Sequence, residues 1–227
     1  MSMDLLIGST RWSILLAPVL LSFVSPAHAE DAYAASGRVE LAYADVDAPR
    51  LATPVATYGP FRVISDQRVE LVDGITSDTP AKFASLLMAH PSIVQIDMVE
   101  CPGSEDDDAN LELARMIRAA GLIMHVPSGG SIRSGGVELF LAGKTRTADR
   151  GAEIGVHSWQ DSDGLEATDY PATDAVHEPY LRFYRDIGMT DAQARAFYDF
   201  TNRAASFDDV HMMTDAEVKQ FGLLTTL

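Results

Sequence analysis

Cysteine is almost absent from this sequence of 227 residues, in which Cys101 is the only one. A single cysteine excludes an intramolecular disulfide, so no disulfide framework can organise the fold. Acidic Glu100 precedes it, and no helix start or basic neighbour is evident that would favour the thiolate. We therefore expect Cys101 to be a small buried residue and not a nucleophile.

Positive charge is also scarce. The chain has 17 lysine and arginine residues against 33 aspartate and glutamate residues, and its formal net charge is −16. Such a protein repels nucleic acid and anionic lipid, which argues against both as partners. The surplus of acid favours solubility, and the alternative interpretation is a preference for basic substrates.

Patterns typical of a metal site are missing as well. His125, His177 and His211 lack the spacing to other histidines, cysteines or acids that zinc ligands show. The acidic run at 106–108 lacks the glycine and the terminal glutamate of a calcium loop, and we expect it to be the solvated start of a helix. The sequence therefore predicts neither a metal nor a cofactor.

Long apolar runs are confined to the first part of the sequence. The segment from Ser13 to Val24 is apolar but too short for a comfortable membrane span. It is followed by Ala27-His28-Ala29, an A-x-A cleavage pattern. Residues 1–29 are therefore predicted to be a secretory signal peptide, with an uncleaved anchor as the alternative. The remaining chain is expected to be periplasmic or secreted, without stable membrane insertion.

What the chain does have is the regular alternation of an α/β domain. Residues 30–60, rich in alanine, aspartate and proline, are expected to form a loosely ordered arm, and the folded domain is predicted at 61–227. Strands are predicted at 69–72, 93–99, 122–126 and 153–156, and helices at 80–89, 111–120, 136–142, 180–187, 191–201 and 215–221. Strands separated by helices of this length indicate a mostly parallel sheet with right-handed crossovers.

Three polar segments follow predicted strands, at 100–104, 129–136 and 154–159. Open α/β sheets bind ligands at such strand ends. Ser134 would present its hydroxyl at the start of a helix, near free backbone N–H groups, and His157 could accept the hydroxyl proton. This pattern fits acyl transfer, although an ordinary glycine and serine turn has the same composition.

Four motifs, in order along the chain, carry a resemblance to a known family. They are Cys101-Pro102-Gly103-Ser104; Gly130-x-x-x-Ser134 followed by Phe140-Leu141-Ala142-Gly143; Gly155-Val156-His157; and Thr214 to Val218 with Phe221-Gly222-Leu223. Over about Val69 to Leu224 the chain resembles the Clp protease proteolytic subunit of the ClpP/crotonase superfamily, and more closely small exported proteins related to it. The resemblance implies a ClpP/crotonase-like fold, in which ββα repeats build a mostly parallel sheet flanked by helices.

The resemblance also implies roles for individual residues. Ser134 would be the nucleophile and His157 the general base. The backbone N–H groups of Gly135 and of either Gly103 or Ser104 would form the oxyanion hole.

The acidic member of the triad is less well defined by the resemblance. Ungapped counting puts its position at Val210, so Asp209 is favoured and Asp208 is the alternative. Either residue could equally be an exposed loop acid. A serine–lysine dyad through Lys144 is a weaker possibility, because relatives with that dyad place their lysine much further along the chain.

The chain also departs from the family's pattern near the site. Ile132 and Arg133 are bulkier than the residues that the family has before its serine. The acidic run at 105–108 follows the oxyanion turn, where the family binds an extended substrate. These changes leave room for a site that has lost its activity.

The function predicted from the sequence is thus an exported serine hydrolase, peptidase-like, acting on a peptide or protein substrate without a cofactor. The resemblance further implies assembly into a homo-oligomer. The alternative is a catalytically inactive binding or scaffold protein that retains the fold, because fold alone does not imply function.

Overall fold

The computed structural model describes residues 53–225, so the predicted signal peptide and most of the predicted N-terminal arm lie outside the described residues. The strands are β1 (Ala56–Tyr58), β2 (Phe61–Val63), β3 (Arg68–Leu71), β4 (Gln95–Met98), β5 (Glu100–Cys101), β6 (Ile123–Val126), β7 (Ser131–Arg133), β8 (Thr145–Ala148), β9 (Glu153–Val156) and β10 (His211–Met212). The helices are α1 (Thr79–Ala89), α2 (Asp107–Ala120), α3 (Gly135–Ala142), α4 (Glu178–Asp186), α5 (Asp191–Ala204) and α6 (Asp215–Gln220).

The larger sheet has the strand order β1-β2-β3-β4-β6-β8. Strands β3, β4, β6 and β8 are parallel, with helices α1, α2 and α3 in the connections between them. Strands β1 and β2 add an antiparallel hairpin at one edge, and the first of them precedes residue 61, where the domain was expected to begin. The predicted α/β class with a mostly parallel sheet is confirmed.

A smaller sheet with the order β10-β9-β7-β5 runs beside the first. Its strands β5, β7 and β9 are parallel, and β10 pairs with β9 in the antiparallel direction. Each of the three parallel strands follows a strand of the larger sheet along the chain, and α2 and α3 follow the first two pairs. This is the ββα repeat that the resemblance implied.

Helices α2 and α6 have clear capping residues. The Asp106 carboxylate accepts a hydrogen bond of 3.0 Å from the Ala109 N–H at the start of α2, and Gly121 ends that helix with φ 67°, a conformation that favours glycine. Thr214 and Glu217 form a capping box at the start of α6. No helix of residues 53–225 has the length and apolar content needed to cross a bilayer.

Cys101 lies in the core between the sheets and the helices. Its side chain is fully buried, and burial raises the pKa of its thiol to about 12. The thiolate is therefore scarce near neutral pH, which confirms the expectation of a small buried residue.

Candidate active site

The carboxyl ends of the three parallel strands of the smaller sheet bring the predicted site segments together. Cys101 is paired with Ile132, and Arg133 with Gly155, so the residues that follow β5, β7 and β9 are neighbours. Ser134 and His157 line one cavity of about 400 Å³, together with Ser104 and Gly135. The strand-end rule of open α/β sheets thus holds for this chain.

The Gly103 backbone approaches Ser134 closely. A Cβ at Gly103 would lie 2.9 Å from the Ser134 Cβ, and the φ of this glycine is 133°. Any other side chain would push the serine aside, so glycine is required where the turn after β5 meets the end of β7.

Ser134 stands at the junction of β7 and α3 in a strained conformation. Its φ is 50° and its ψ is −129°, and it is the one residue other than glycine with positive φ in the described part of the chain. Its N–H donates to the Gly155 carbonyl at 3.1 Å, and its carbonyl accepts from the Val137 N–H at 2.8 Å. Its hydroxyl makes no hydrogen bond within residues 53–225 and does not cap α3. The hydroxyl is therefore not hydrogen-bonded to His157, although both side chains line the same cavity.

Replacing Ser134 by glycine should stabilise the protein. A residue with a Cβ at positive φ costs about 1–3 kcal/mol. Because glycine releases this strain at some cost in backbone entropy, we expect Ser134→Gly to raise the free energy of unfolding by about 1 kcal/mol. Ser134→Ala keeps the Cβ and should show no such gain. Urea denaturation of the two variants measures the difference, and equal stabilities would contradict the strain.

The backbone N–H groups expected to form an oxyanion hole belong to Gly135 and to the turn after β5. The N–H of Gly135, in the first turn of α3, has no acceptor within that helix, and its carbonyl accepts a hydrogen bond of 3.0 Å from the buried Asn110 side chain. The Gly103 N–H is directed at the Cys101 thiol, whose pKa it lowers against the larger effect of burial. Of the two donors expected in the turn after β5, Ser104 is therefore the one left for an oxyanion.

The His157 ring is oriented by the main chain. Its Nδ1 lies 2.7 Å from the Ser158 carbonyl oxygen. A carbonyl only accepts, so Nδ1 carries the proton of the neutral ring and the lone pair of Nε2 is free. The carbonyl is itself well placed, because Ser158 is fully buried and its N–H donates to the Ala205 carbonyl at 3.0 Å. The Phe207 ring packs edge-on against the imidazole at 5.7 Å.

The acids predicted for a triad are not hydrogen-bonded to His157. Asp208 and Asp209 are both exposed, and the Asp209 carboxylate accepts from the adjacent Val210 N–H at 2.8 Å. Val210 itself packs over the strand, where its Cγ1 would lie 2.6 Å from a Cβ at Gly155. No carboxylate of residues 53–225 forms a hydrogen bond with His157, because the turn after α5 directs its acids to solvent and to its own backbone.

The bulky residues before Ser134 leave the cavity open. Ile132 is fully buried in the core. Arg133 points away to an ion pair with Glu100 and a hydrogen bond of 2.6 Å to Ser131. Lys144 is exposed beyond the far end of α3 and does not line the cavity, so a dyad between it and Ser134 is not assembled.

Two further histidines, both outside the cavity, have structural partners. His125 lies 2.9 Å from the Thr147 hydroxyl, and His211 lies 3.1 Å from the Glu217 carboxylate. The part of the chain that the structure describes contains no group of three or more histidine, cysteine or acidic side chains placed to hold a metal ion.

The far wall of the cavity holds residues that the sequence did not point to. Glu138, one turn after Ser134, is only 7% exposed, and its Oε1 accepts from the Tyr184 hydroxyl at 2.6 Å. The Tyr180 hydroxyl donates to Asp107 Oδ2 at 2.6 Å. Asp107 was expected only as part of a solvated helix start, yet it lines the cavity together with the two tyrosines.

Burial dominates the electrostatics of this wall. It raises the pKa of Glu138 to about 7, against the hydrogen bond from Tyr184, and the nearby charge of Asp107 adds to the rise. The pKa values of Tyr180 and Tyr184 are also raised, first by burial and then by the charge of the carboxylate that each contacts.

A chain of hydrogen bonds supports the side of the cavity next to His157. Trp159 Nε1 donates to the Tyr198 hydroxyl at 2.8 Å, and His177 Nδ1 lies 2.8 Å from the same hydroxyl. His177 Nε2 lies 3.0 Å from the Pro171 carbonyl, so it carries the proton and Nδ1 accepts from Tyr198. His177, one of the histidines without metal-ligand spacing, is therefore a satisfied core residue.

No protein-family model matches the chain. No curated protein matches it either. Solved structures similar to it include a mutant of ClpP1 from Listeria monocytogenes, with 16% identity, a TM-score of 0.49 and coverage of 70% of this chain and 89% of that chain. A mutant of the membrane-bound stomatin-specific protease 1510-N, in complex with a substrate peptide, has 17% identity, a TM-score of 0.48 and coverage of 70% and 72%.

The ClpP protease catalytic domain from Plasmodium falciparum has 17% identity, a TM-score of 0.47 and coverage of 69% of this chain and 81% of that chain. Clp-type proteases are thus among the solved structures similar to this chain, as the resemblance in sequence predicted. Because these identities are only 16–17%, the chemistry of this chain follows from the residues that line its own cavity.

Proposed function

We propose that the chain is a peptidase-like serine hydrolase in which Ser134 is the nucleophile and His157 the general base. One observation carries the proposal. The Ser134 hydroxyl is held in a strained conformation and makes no hydrogen bond within residues 53–225, in a cavity that it shares with a histidine whose Nε2 has no hydrogen-bond partner among those residues. A hydroxyl that neither caps its helix nor bonds to a neighbour has no evident structural use.

The reaction would proceed in two steps. His157 Nε2 takes the proton of the Ser134 hydroxyl as the oxygen attacks the substrate carbonyl, and the N–H groups of Gly135 and Ser104 stabilise the oxyanion. The bond to the leaving amine or alcohol breaks, and the imidazolium returns the proton to that group. Water then attacks the acyl-serine with His157 again as base, which releases a carboxylic acid and restores Ser134.

The Ser158 carbonyl would serve in place of the acid of a triad. It accepts from His157 Nδ1 at 2.7 Å and so fixes the tautomer and the direction of the ring. A carbonyl carries only a partial negative charge, so it stabilises the imidazolium less than a carboxylate would. A slow hydrolase is the expected consequence.

Fluorophosphonate labelling tests the proposed function. The purified protein should gain one phosphonyl group, and peptide mass spectrometry should locate it at Ser134. Ser134→Ala should gain none, because the probe requires an activated hydroxyl. A folded protein that stays unlabelled between pH 6 and pH 9 would contradict the proposal and favour a binding protein without activity.

Export and self-association belong to the same proposal. The predicted signal peptide supports action on peptides or proteins outside the cytoplasm, and the resemblance supports a homo-oligomer without a cofactor. Both stay predictions from the sequence.

A further inference from the structure

The cavity beside Ser134 carries negative charge without a matching cation. Glu105, Asp107 and Glu138 line it, and no lysine or arginine of the described residues does. Aromatic side chains line it as well, and they include Tyr180, Tyr184, Tyr198 and Trp159. We call this part of the cavity, formed by Asp107, Glu138, Tyr180, Tyr184 and Tyr198, the acidic aromatic pocket.

Glu138 is the deepest charge of the pocket. It is 7% exposed, and its only hydrogen bond with another side chain in the described residues is the one from Tyr184. It forms no ion pair with any described residue, since the positive charges of α4 are used elsewhere, with Arg185 paired to Glu178 and Asp191. A buried carboxylate without a cation is unfavourable, so this position gains from a ligand that brings one.

Asp107 is the exposed acid of the pocket, in contrast to the buried Glu138. Asp107 accepts from the Tyr180 hydroxyl through Oδ2 and from the Ser104 hydroxyl through Oδ1, at 2.6 and 2.9 Å. The Tyr180 and Tyr198 rings are 5.9 Å apart. Aromatic faces attract ammonium and guanidinium groups and also accommodate the methylene groups that carry them.

We propose that the acidic aromatic pocket binds the basic side chain, lysine or arginine, next to the bond that Ser134 attacks. The inference rests on the proposed function and names its substrate class. An apolar side chain of the same length would remove water from Glu138 without supplying a charge, and an acidic one would be repelled.

Paired phosphonate probes test this assignment. Two diphenyl phosphonates that differ only in a lysine or a norleucine side chain are compared at pH 8, where Glu138, with its pKa of about 7, is mostly ionised. A small fluorophosphonate without a side chain reports the intrinsic reactivity of Ser134. We expect the lysine probe to react at least tenfold faster than the norleucine probe, a ratio typical of a hydrogen bond to a charged group.

Three variants test whether the preference for the lysine probe depends on the pocket. Glu138→Gln keeps the shape of the side chain and removes its charge, so the ratio of the lysine rate to the norleucine rate should fall several-fold or more. The small probe, measured on the same variant, corrects for any change in the reactivity of Ser134. Glu112→Gln makes the same chemical change at an exposed position of α2 outside the cavity, and it should keep the wild-type ratio. Asp107→Asn should lower the ratio as well.

The outcomes separate the two proposals. If the small probe reacts but the lysine and norleucine probes react equally, or Glu138→Gln keeps the ratio, the assignment of the pocket is wrong and the hydrolase stands. If no probe reacts, the hydrolase fails. The pocket is then judged by calorimetric titration with lysine and norleucine peptide amides, where equal affinities would overturn it and a lysine preference lost in Glu138→Gln would support it.

Discussion

Glu138→Gln should stabilise the protein by about 3 kcal/mol at pH 8 and by only about 1 kcal/mol at pH 5. Burial raises the pKa of Glu138 from 4.5 to about 7 in the folded protein. Between these two values the folded state binds more protons than the unfolded state, so wild-type stability falls as the pH rises through this window. Glutamine resembles the protonated carboxyl at every pH and avoids that loss.

Urea denaturation at pH 5 and pH 8 measures this difference. The difference in the free energy of unfolding between Glu138→Gln and wild type is determined at each pH, and the two differences are compared. Other groups that titrate in this range contribute equally to both proteins and so cancel. Glu112→Gln, at an exposed site, should show almost no gap at either pH. A gap for Glu138→Gln that stayed constant with pH would show that the carboxyl is not buried as the structure has it.

A stabilising change in the acidic aromatic pocket would have a direct meaning for function. A protein that is less stable with its natural residue carries a cost that binding or catalysis has to justify. Greater stability of Glu138→Gln, together with a loss of the lysine preference, would show that this carboxylate serves the substrate and not the fold.

His157→Gln should lower the rate of fluorophosphonate labelling by about 10²–10⁴-fold, the usual contribution of a general base. A glutamine side chain can occupy the space of the imidazole and can accept a hydrogen bond from the Ser134 hydroxyl, but it cannot take the proton of that hydroxyl. Stability should change little, because the ring is only half-buried and is held by one main-chain hydrogen bond. Stopped-time labelling followed by intact mass measures the rate.

Asp208→Asn and Asp209→Asn are the matched controls for His157→Gln. Since the Ser158 carbonyl, and no described carboxylate, contacts Nδ1, we expect both variants to label at rates within about threefold of wild type, as exposed substitutions usually do. A loss at Asp209 as large as the loss at His157 would instead assign Asp209 as the third member of a triad.

The parts of the fold that the sequence predicted are those with local signals. Helix α2 ends at Ala120, the predicted residue, with Gly121 as its C-cap, and α6 begins at the predicted Asp215. Strand β7 was read as part of a glycine and serine loop, because its three residues become a strand only by pairing with β5 and β9, far away in the sequence. The hairpin of β1 and β2 likewise depends on β3 for its pairing.

The candidate site likewise has parts that the sequence predicted and parts that it did not. The juxtaposition of Ser134 and His157 follows from the rule that neighbouring parallel strands end at one edge. The surroundings of His157 follow from the path of a loop, which residue types do not encode, so the Ser158 carbonyl was not foreseen. Glu138 did leave a signal, since it is the single charge in the otherwise apolar stretch from Val137 to Ala142, but a lone acid in a helix has many ordinary explanations.

Helix α3 also fixes the spacing between the proposed nucleophile and the buried carboxylate of the pocket. Ser134 precedes its first residue and Glu138 lies one turn on, a rise of about 6 Å along a rigid element buried on all sides. The reacting oxygen and the deepest carboxylate therefore move as one body. If the pocket binds a basic side chain as proposed, one that is one or two methylene groups shorter than lysine would leave its charge short of Glu138. The helix would then limit the length of the substrate side chain as well as its charge.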